Sequence, residues 1–389
     1  MNGVRELDVE PATLATVSQS RLRGLFAALL APSGVTIDGD QPWDIRVHDE
    51  RLFRRVATSG SLGFGEAYLD GWWDCERLDE FFARVLAAEV SERLWWNPAS
   101  TRLHLAAWLV NRQSKARAFV VGRRHYDLGN DVFEATFDRR VTGSCAYWKN
   151  ASTIDEAQEA KLDLVCRKIG LKGGDTVLDI GCGWGAFMKF AAERYGARSV
   201  GITVSREQIK LASELCAGLP VEFRFMDYRD VTGKFDHVVS MEMFEQVGHK
   251  NLRRFFEIAH RSLKNGGLFL LHTIGTNESS TVIDPWLDKY IFPNGALPSI
   301  QQIGRAIEGL FVMEDWHNFG ADYDRTILAW FANFERSWPR LAAKYGDRFY
   351  RMWKYYWLSC AGGFRSRTIQ LWQIVLSKRG IAGGYASVR

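Results

Sequence analysis

Residues 177–185 read VLDIGCGWG, and this stretch constrains the fold more than any other part of the chain. Its apolar run is short and ends in glycines, which suits a strand buried on both faces, as in a parallel sheet covered by helices. The glycines let the backbone turn sharply and pass close to a ligand. In open α/β sheets that turn lies at the carboxyl end of a strand, where ligands bind. A dinucleotide fold shows GxGxxG here, whereas Asp179, Gly181, Gly183 and Gly185 give D-x-G-x-G-x-G.

Downstream, the chain alternates strand and helix as a doubly wound sheet does. SVGITVS, VEFRFMDYRD, FDHVVSMEMF and GGLFLLHTIG read as four further strands with helical segments between them. Residues 275–389 add a long insertion, TNESSTVIDPWLDKYIFPNGALPS, an aromatic helical region and a closing strand near IQLWQIVLSK. Residues 1–92 read as a smaller mixed α/β domain. There VTIDGDQPWDIRVHD suggests two short strands about a turn, and Leu78, Phe81, Phe82, Val85 and Leu86 make one apolar helical stripe. Residues 93–124 form a linker with seven basic side chains, no acid, and Trp95, Trp96 and Trp108; residues 125–389 form the main domain.

Composition removes several classes of function. A net charge of +4, from 50 basic and 46 acidic residues, is too small a surplus for a general polyanion binder, so no nucleic acid is expected. The six cysteines show no CxxC pairing, so neither a metal site nor a disulfide framework is expected. No apolar run approaches the ~18 residues of a membrane span, and the acidic N-terminus does not suit a signal peptide. A soluble or peripheral cytoplasmic protein is the expectation. A core can absorb many of the 15 Trp, 12 Tyr and 24 Phe, but aromatics this dense also suit an apolar tunnel or a bilayer interface. The basic, Trp-bearing linker suits anionic lipid headgroups, with Arg112, Lys115 and Arg117 as candidate contacts.

The glycine loop resembles the S-adenosylmethionine (SAM) loop of class I methyltransferases, with MDYRD where such folds hold adenine. That likeness implies cofactor contacts from Gly143, Ser144, Asp179, Gly181, Gly183, Gly185, Asp227 and Tyr228. Strand two ends in GITVSREQ, without the usual ribose-binding acid, so Thr203 and Gln208 would supply those contacts. A longer series, HYDLGND, SCAYW, VLDIGCGWG, FEQVG, LLHTIG, DPWLDKYIFPNG, MEDWHNFGADY and IQLWQ, resembles the cyclopropane-fatty-acyl-phospholipid synthases in their long bacterial form. The resemblance implies a Rossmann-like, mostly parallel seven-stranded sheet with a smaller N-terminal lipid-binding domain. It also implies a homodimer at the inner leaflet of the cytoplasmic membrane, acting on unsaturated phospholipid.

In the implied reaction a cis double bond attacks the SAM methyl, and the resulting carbocation loses a proton from that methyl as the ring closes. Aromatic faces stabilise a desolvated cation by about 2 kcal/mol, and Tyr147, Trp148, Trp316 and Tyr323 are candidates. The family takes the proton with bound bicarbonate. By motif its cradle would be Cys145, Glu245, His272, Ile274 and Tyr323, with Cys145 and Ile274 acting through backbone groups, and Cys360 a supporting residue. Where the family usually has His after the Glu, this chain has Gln246. Rival readings are a methyltransferase that leaves a methyl branch, an RNA or small-amine methyltransferase, and a non-catalytic lipid-binding protein.

Overall fold

A helix over Gln19–Leu30 (α1) begins where the Ser18 hydroxyl accepts from the Arg21 N–H. Arg46–Val47 (β1) pairs antiparallel with Trp73–Asp74 (β2), and between them runs a helix over Arg51–Leu69 (α2); Leu78–Ala87 (α3) follows. The computed structural model describes residues 17–90, 110–115 and 129–389. Trp95, Trp96, Trp108, Arg117 and the first four residues of HYDLGND lie outside those described.

The two strands expected about a turn in VTIDGDQPWDIRVHD do not pair as a hairpin. Only an isolated bridge joins Ile37 and Ile45. The Asp44 carboxylate accepts from the Thr36 and Gln41 N–H groups at 2.7 and 3.0 Å, so side-chain bonds take donors a ladder would use. The Leu78 stripe does face a core, where Phe26, Phe53, Phe64, Trp73 and Phe81 stack on one another. Trp286, Tyr355 and Leu358 from the C-terminal part of the chain belong to that same core. The boundary near residue 92 therefore divides the sequence without dividing the packing.

Helices over Asn130–Thr136 (α4) and Ile154–Lys168 (α5) lead into the main sheet; a Thr153–Glu156 capping box starts the latter. The first five strands of the main sheet, each legible in the sequence as is the closing strand near IQLWQIVLSK, are Thr176–Ile180 (β3), Arg198–Thr203 (β4), Val221–Phe225 (β5), Phe235–Met241 (β6) and Leu263–Thr276 (β7). Two more, Val312–Asn318 (β8) and Ile369–Ser377 (β9), complete a sheet of order β5-β4-β3-β6-β7-β9-β8, parallel except where β9 lies between β7 and β8. β8 is an edge strand and carries Glu314, Asp315, His317 and Asn318, so it lacks the apolar run that marks a buried strand. The chain passes from β3 to β4 on one side and returns to β6 on the other. That reversal opens a crevice at the carboxyl ends of β3 and β6.

A long helical stretch, Ala321–Arg365, breaks at Gly346 (φ 74°) into two arms. Trp330, Phe334, Trp353 and Trp357 from these arms pack with Phe133 into one aromatic core. Its second arm lies directly on α3. An added Cβ at Gly362 would stand 2.5 Å from Phe82 Cβ and 2.7 Å from the Ala83 backbone nitrogen, and Arg365 bridges Asp79 and Asp324 nearby. Replacement of Gly362 by Ala is therefore expected to push this arm off α3 at a cost of about 1–3 kcal/mol. Urea denaturation measures this, and an unchanged midpoint would contradict the close approach.

Candidate active site

A cleft of about 1150 Å³ opens at the carboxyl ends of β3, β4 and β6. Gly143, Ser144, Gly181, Gly183, Thr203, Gln208, Asp227 and Tyr228 all line it. Gly181, Gly183 and Gly185 take φ of 87°, 54° and 81°, which explains why glycine stands at each. A Cβ at Gly183 would meet nothing within 4 Å, so this part of the loop leaves room for a ligand. Gly185 instead turns against the Phe223 ring, 2.7 Å from an added Cβ, and serves the bend. The Thr203 hydroxyl donates to Gln208 Oε1 at 2.7 Å, and Asp227 pairs with Arg229 at 2.9 Å.

Asp179 lies under this loop, 1% exposed, and among the described residues neither carboxylate oxygen has a hydrogen-bond partner. Burial pushes its pKa up to about 7, opposed by the charge of Lys161. An unpartnered buried carboxylate beneath an open glycine turn fits a ligand that brings an ammonium group, as SAM does. Sequence reasoning missed Gln113, which reaches the cleft from the linker. Its Nε2 donates to Gln246 Oε1 at 3.2 Å, so Gln246 holds the linker against the cleft rim. Arg112 and Lys115 are likewise spent on ion pairs with Asp288 and Asp230, at 2.9 and 2.6 Å.

The cluster expected to hold bicarbonate is assembled, but around a residue the sequence reading passed over. Glu242 follows β6, where its N–H still donates to His272 O at 2.8 Å, yet it takes φ 51°. Left-handed backbone at a residue with a Cβ is uncommon and carries a local cost. The side chain, 9% exposed, also reaches the SAM cleft. Glu242 Oε1 accepts from the Cys145 N–H at 2.8 Å and faces His272 Nε2 at 3.1 Å, and Tyr323 OH donates to Oε2. Gln373 Nε2 lies 3.1 Å from His272 Nδ1; donation there places the ring proton on Nε2, toward Glu242. Burial, with the charges of Lys161 and Lys168, pushes the His272 pKa well below its usual value, so the ring is a neutral donor. Burial raises the Glu242 pKa, while the Cys145 N–H, the Tyr323 hydroxyl and Lys161 oppose the rise.

Glu245, three residues on, occupies a different place. Its Oε1 accepts from the Ile274 N–H at 2.6 Å and the Thr273 hydroxyl at 2.9 Å. Burial and the neighbouring Glu242 charge push it up to about 8, so it is protonated at neutral pH. The expected cradle is thereby corrected. The donors of Cys145, His272 and Tyr323 go to Glu242 and that of Ile274 to Glu245, so these residues do not fit a separate bicarbonate ion.

The other candidate side chains are engaged elsewhere or deeply buried. The Cys145 thiol is fully buried, donates to Ala146 O at 3.2 Å, and is pushed well above its usual pKa by burial, which argues against a nucleophile. Burial lifts the Cys360 thiol to about 12, with Asp284 rather than Glu242 as its charged neighbour. Trp148 donates to Thr326 Oγ1 at 2.9 Å under the Arg325 guanidinium, and Trp316 packs edge-on against Trp372. Tyr147 packs on His317 and Phe319. The rings that border the cluster are Phe364, stacked on Tyr323 at 4.4 Å, Trp330, and Phe319 beside His272.

Residues 113–374 match the family described as mycolic acid cyclopropane synthetase. The chain is 51% identical to a cyclopropane-fatty-acyl-phospholipid synthase of Escherichia coli K12 over 361 residues, covering 93% of this chain and 94% of that one. It is 33% identical to the tuberculostearic acid methyltransferase UfaA1 of Mycobacterium tuberculosis, covering 85% and 82% of the two chains. Among solved structures it is similar to the mycolic acid cyclopropane synthase CmaA1 complexed with SAH and CTAB. That likeness has a TM-score of 0.62 and 31% identity, over 67% of this chain and 98% of that one. With a class I methyltransferase fold and a match over most of its length, the chain belongs to the mycolic acid cyclopropane synthetase family.

Proposed function

We propose that this protein is a SAM-dependent cyclopropane synthase that adds one carbon across the cis double bond of unsaturated acyl chains in membrane phospholipid. One observation carries the reading: a buried carboxylate, held by three donors, lies on the wall of the cleft that fits SAM. The extent of similarity to the E. coli synthase supports the substrate class. SAM supplies an electrophilic methyl group on sulfonium. The glycine turn and Asp179 hold its amino acid end, Thr203 and Gln208 face its ribose, and Asp227 and Tyr228 border its adenine. Phe319, Trp330 and Phe364 keep water from the reacting carbon.

Among the described residues no helix is long and apolar enough to cross a membrane, and the proposed contact with the inner leaflet is peripheral. Arg112 and Lys115 are already paired within the chain, so the proposed lipid contact of residues 1–124 is assigned to other residues of that stretch. The protein is proposed to act as a homodimer, which sedimentation at micromolar concentration measures.

Incubation with SAM and oleoyl phospholipid vesicles is expected to give an acyl chain one CH₂ heavier, without olefinic protons and without added reductant. An olefin-retaining methyl-branched product would favour the other outcome of the same cation. SAM affinity is expected to be full above pH about 7 and to weaken as pH falls below it, by up to about tenfold per unit, because protonated Asp179 must ionise to meet the ammonium group. Calorimetry of wild type and Asp179→Asn tests this, and equal pH slopes would refute it. Glu245→Gln should keep stability within about 1 kcal/mol, since the carboxyl is already neutral, whereas Glu245→Ala strands two donors and costs about 1–3 kcal/mol. Chemical denaturation of both variants compares them.

A further inference from the structure

The cluster around Glu242 has the geometry of an anion site whose anion is part of the chain. A carboxylate offers about four acceptor positions. Three are used: Cys145 N–H and His272 Nε2 meet Oε1, and the Tyr323 hydroxyl meets Oε2. The remaining lone pair on Oε2 is left for a proton. A carboxylate and a bicarbonate present the same pair of oxygens to the same donors, so the cradle holds one or the other. The left-handed φ of 51° at Glu242 brings the side chain back over the cluster, a conformation with a local cost that its three bonds offset.

We propose that Glu242 is the catalytic base of ring closure and that this protein needs no bicarbonate, an inference that rests on the cyclopropane-synthase reading above. The electrons balance as follows. The π pair of the olefin forms a bond to the SAM methyl as the carbon–sulfur bond breaks, and sulfur keeps that pair. A C–H bond of the added methyl then breaks, its electron pair forming the last ring bond to the cationic carbon. The proton goes to Glu242 Oε2 and from there to solvent after the products leave. Cys145, His272 and Tyr323 are positioning residues for the carboxylate. The bonds they donate also lower its nucleophilicity, so it takes a proton in preference to a methyl group.

Two substitutions separate the roles. Glu242→Gln keeps the shape and removes the base. Glu242→Gly empties the cradle and tolerates φ 51° without a Cβ, so the variant is expected to fold. Full-length protein is assayed with SAM and oleoyl phospholipid vesicles in buffer stripped of carbon dioxide, with and without millimolar bicarbonate. Wild-type turnover is expected to be equal in both. Both variants should lose about a hundredfold or more without bicarbonate, and only Glu242→Gly should recover when it is added. A wild-type rate that falls severalfold without bicarbonate and returns with it overturns the proposal, as does a Glu242→Gln enzyme that keeps its rate. Binding of ¹³C-bicarbonate, followed by NMR, decides independently of turnover. Saturable binding to Glu242→Gly alone supports the proposal, and saturable binding to wild type overturns it. If wild type makes no cyclopropane in either buffer, the functional reading fails while the binding comparison still judges the anion site.

Discussion

The Glu242 carboxylate is the point at which the catalytic half is tied together. Its three donors come from the loop before α5, from β7 and from the start of the long C-terminal helix, segments far apart in sequence. The loop GSCAYW is held from several sides as a result. Lys161 Nζ donates to Ser144 Oγ at 2.7 Å, Gln158 Nε2 to Ser144 O at 2.8 Å, Thr326 Oγ1 accepts from the Ala146 N–H at 3.2 Å, and Asp322 from the Trp148 N–H at 2.7 Å. Each of these bonds is in a buried or half-buried setting, where leaving a donor unmade costs about 1–3 kcal/mol. The stretch is therefore a rigid wall shared by the SAM cleft and the base.

The same constraint explains the glycine at 181. A Cβ there would come 2.6 Å from Met243 Cβ, the residue after the base. The glycine turn that borders the SAM cleft and the turn that aims Glu242 thus pack backbone to side chain. Their contact fixes the distance between donor and acceptor sites with no flexible loop in between. Preorganisation of this kind lets a weak nucleophile such as an olefin react without spending binding energy on rearrangement.

Much of the sheet was legible because buried parallel strands announce themselves as short apolar runs ending in glycine. β8 was not, since an edge strand with one wet side can carry Glu314, Asp315 and His317. The short strands of the N-terminal part were misread because Asp44 takes donors that alternation alone would assign to a ladder. At the site, motif spacing brought the right neighbours together but passed over Glu242, the acid that takes the donors of Cys145, His272 and Tyr323. MEMFEQVG holds two glutamates three apart, and both are near the carboxyl end of β6. Which one meets Cys145, His272 and Tyr323 depends on a single positive φ, and no periodicity encodes that angle. The available signal was the second acid itself, since two carboxylates so close in a buried turn cannot both ionise freely.

That pairing also gives the pocket its charge logic. Burial pushes both acids up, Glu245 further because Glu242 is beside it, and buried Lys161 on α5 opposes the rise at Glu242. On the proposed reading SAM enters as a sulfonium and Asp179 meets its ammonium group. On the proposed reaction the positive charge leaves sulfur, crosses to the acyl chain and ends as a proton on Glu242. The charge moves along a short path of preset dipoles and never has to leave the cleft before the ring closes. A base supplied from solution would have to be desolvated on each turnover. A base built into the chain has already met that cost during folding, where the bonds from Cys145, His272 and Tyr323 offset it.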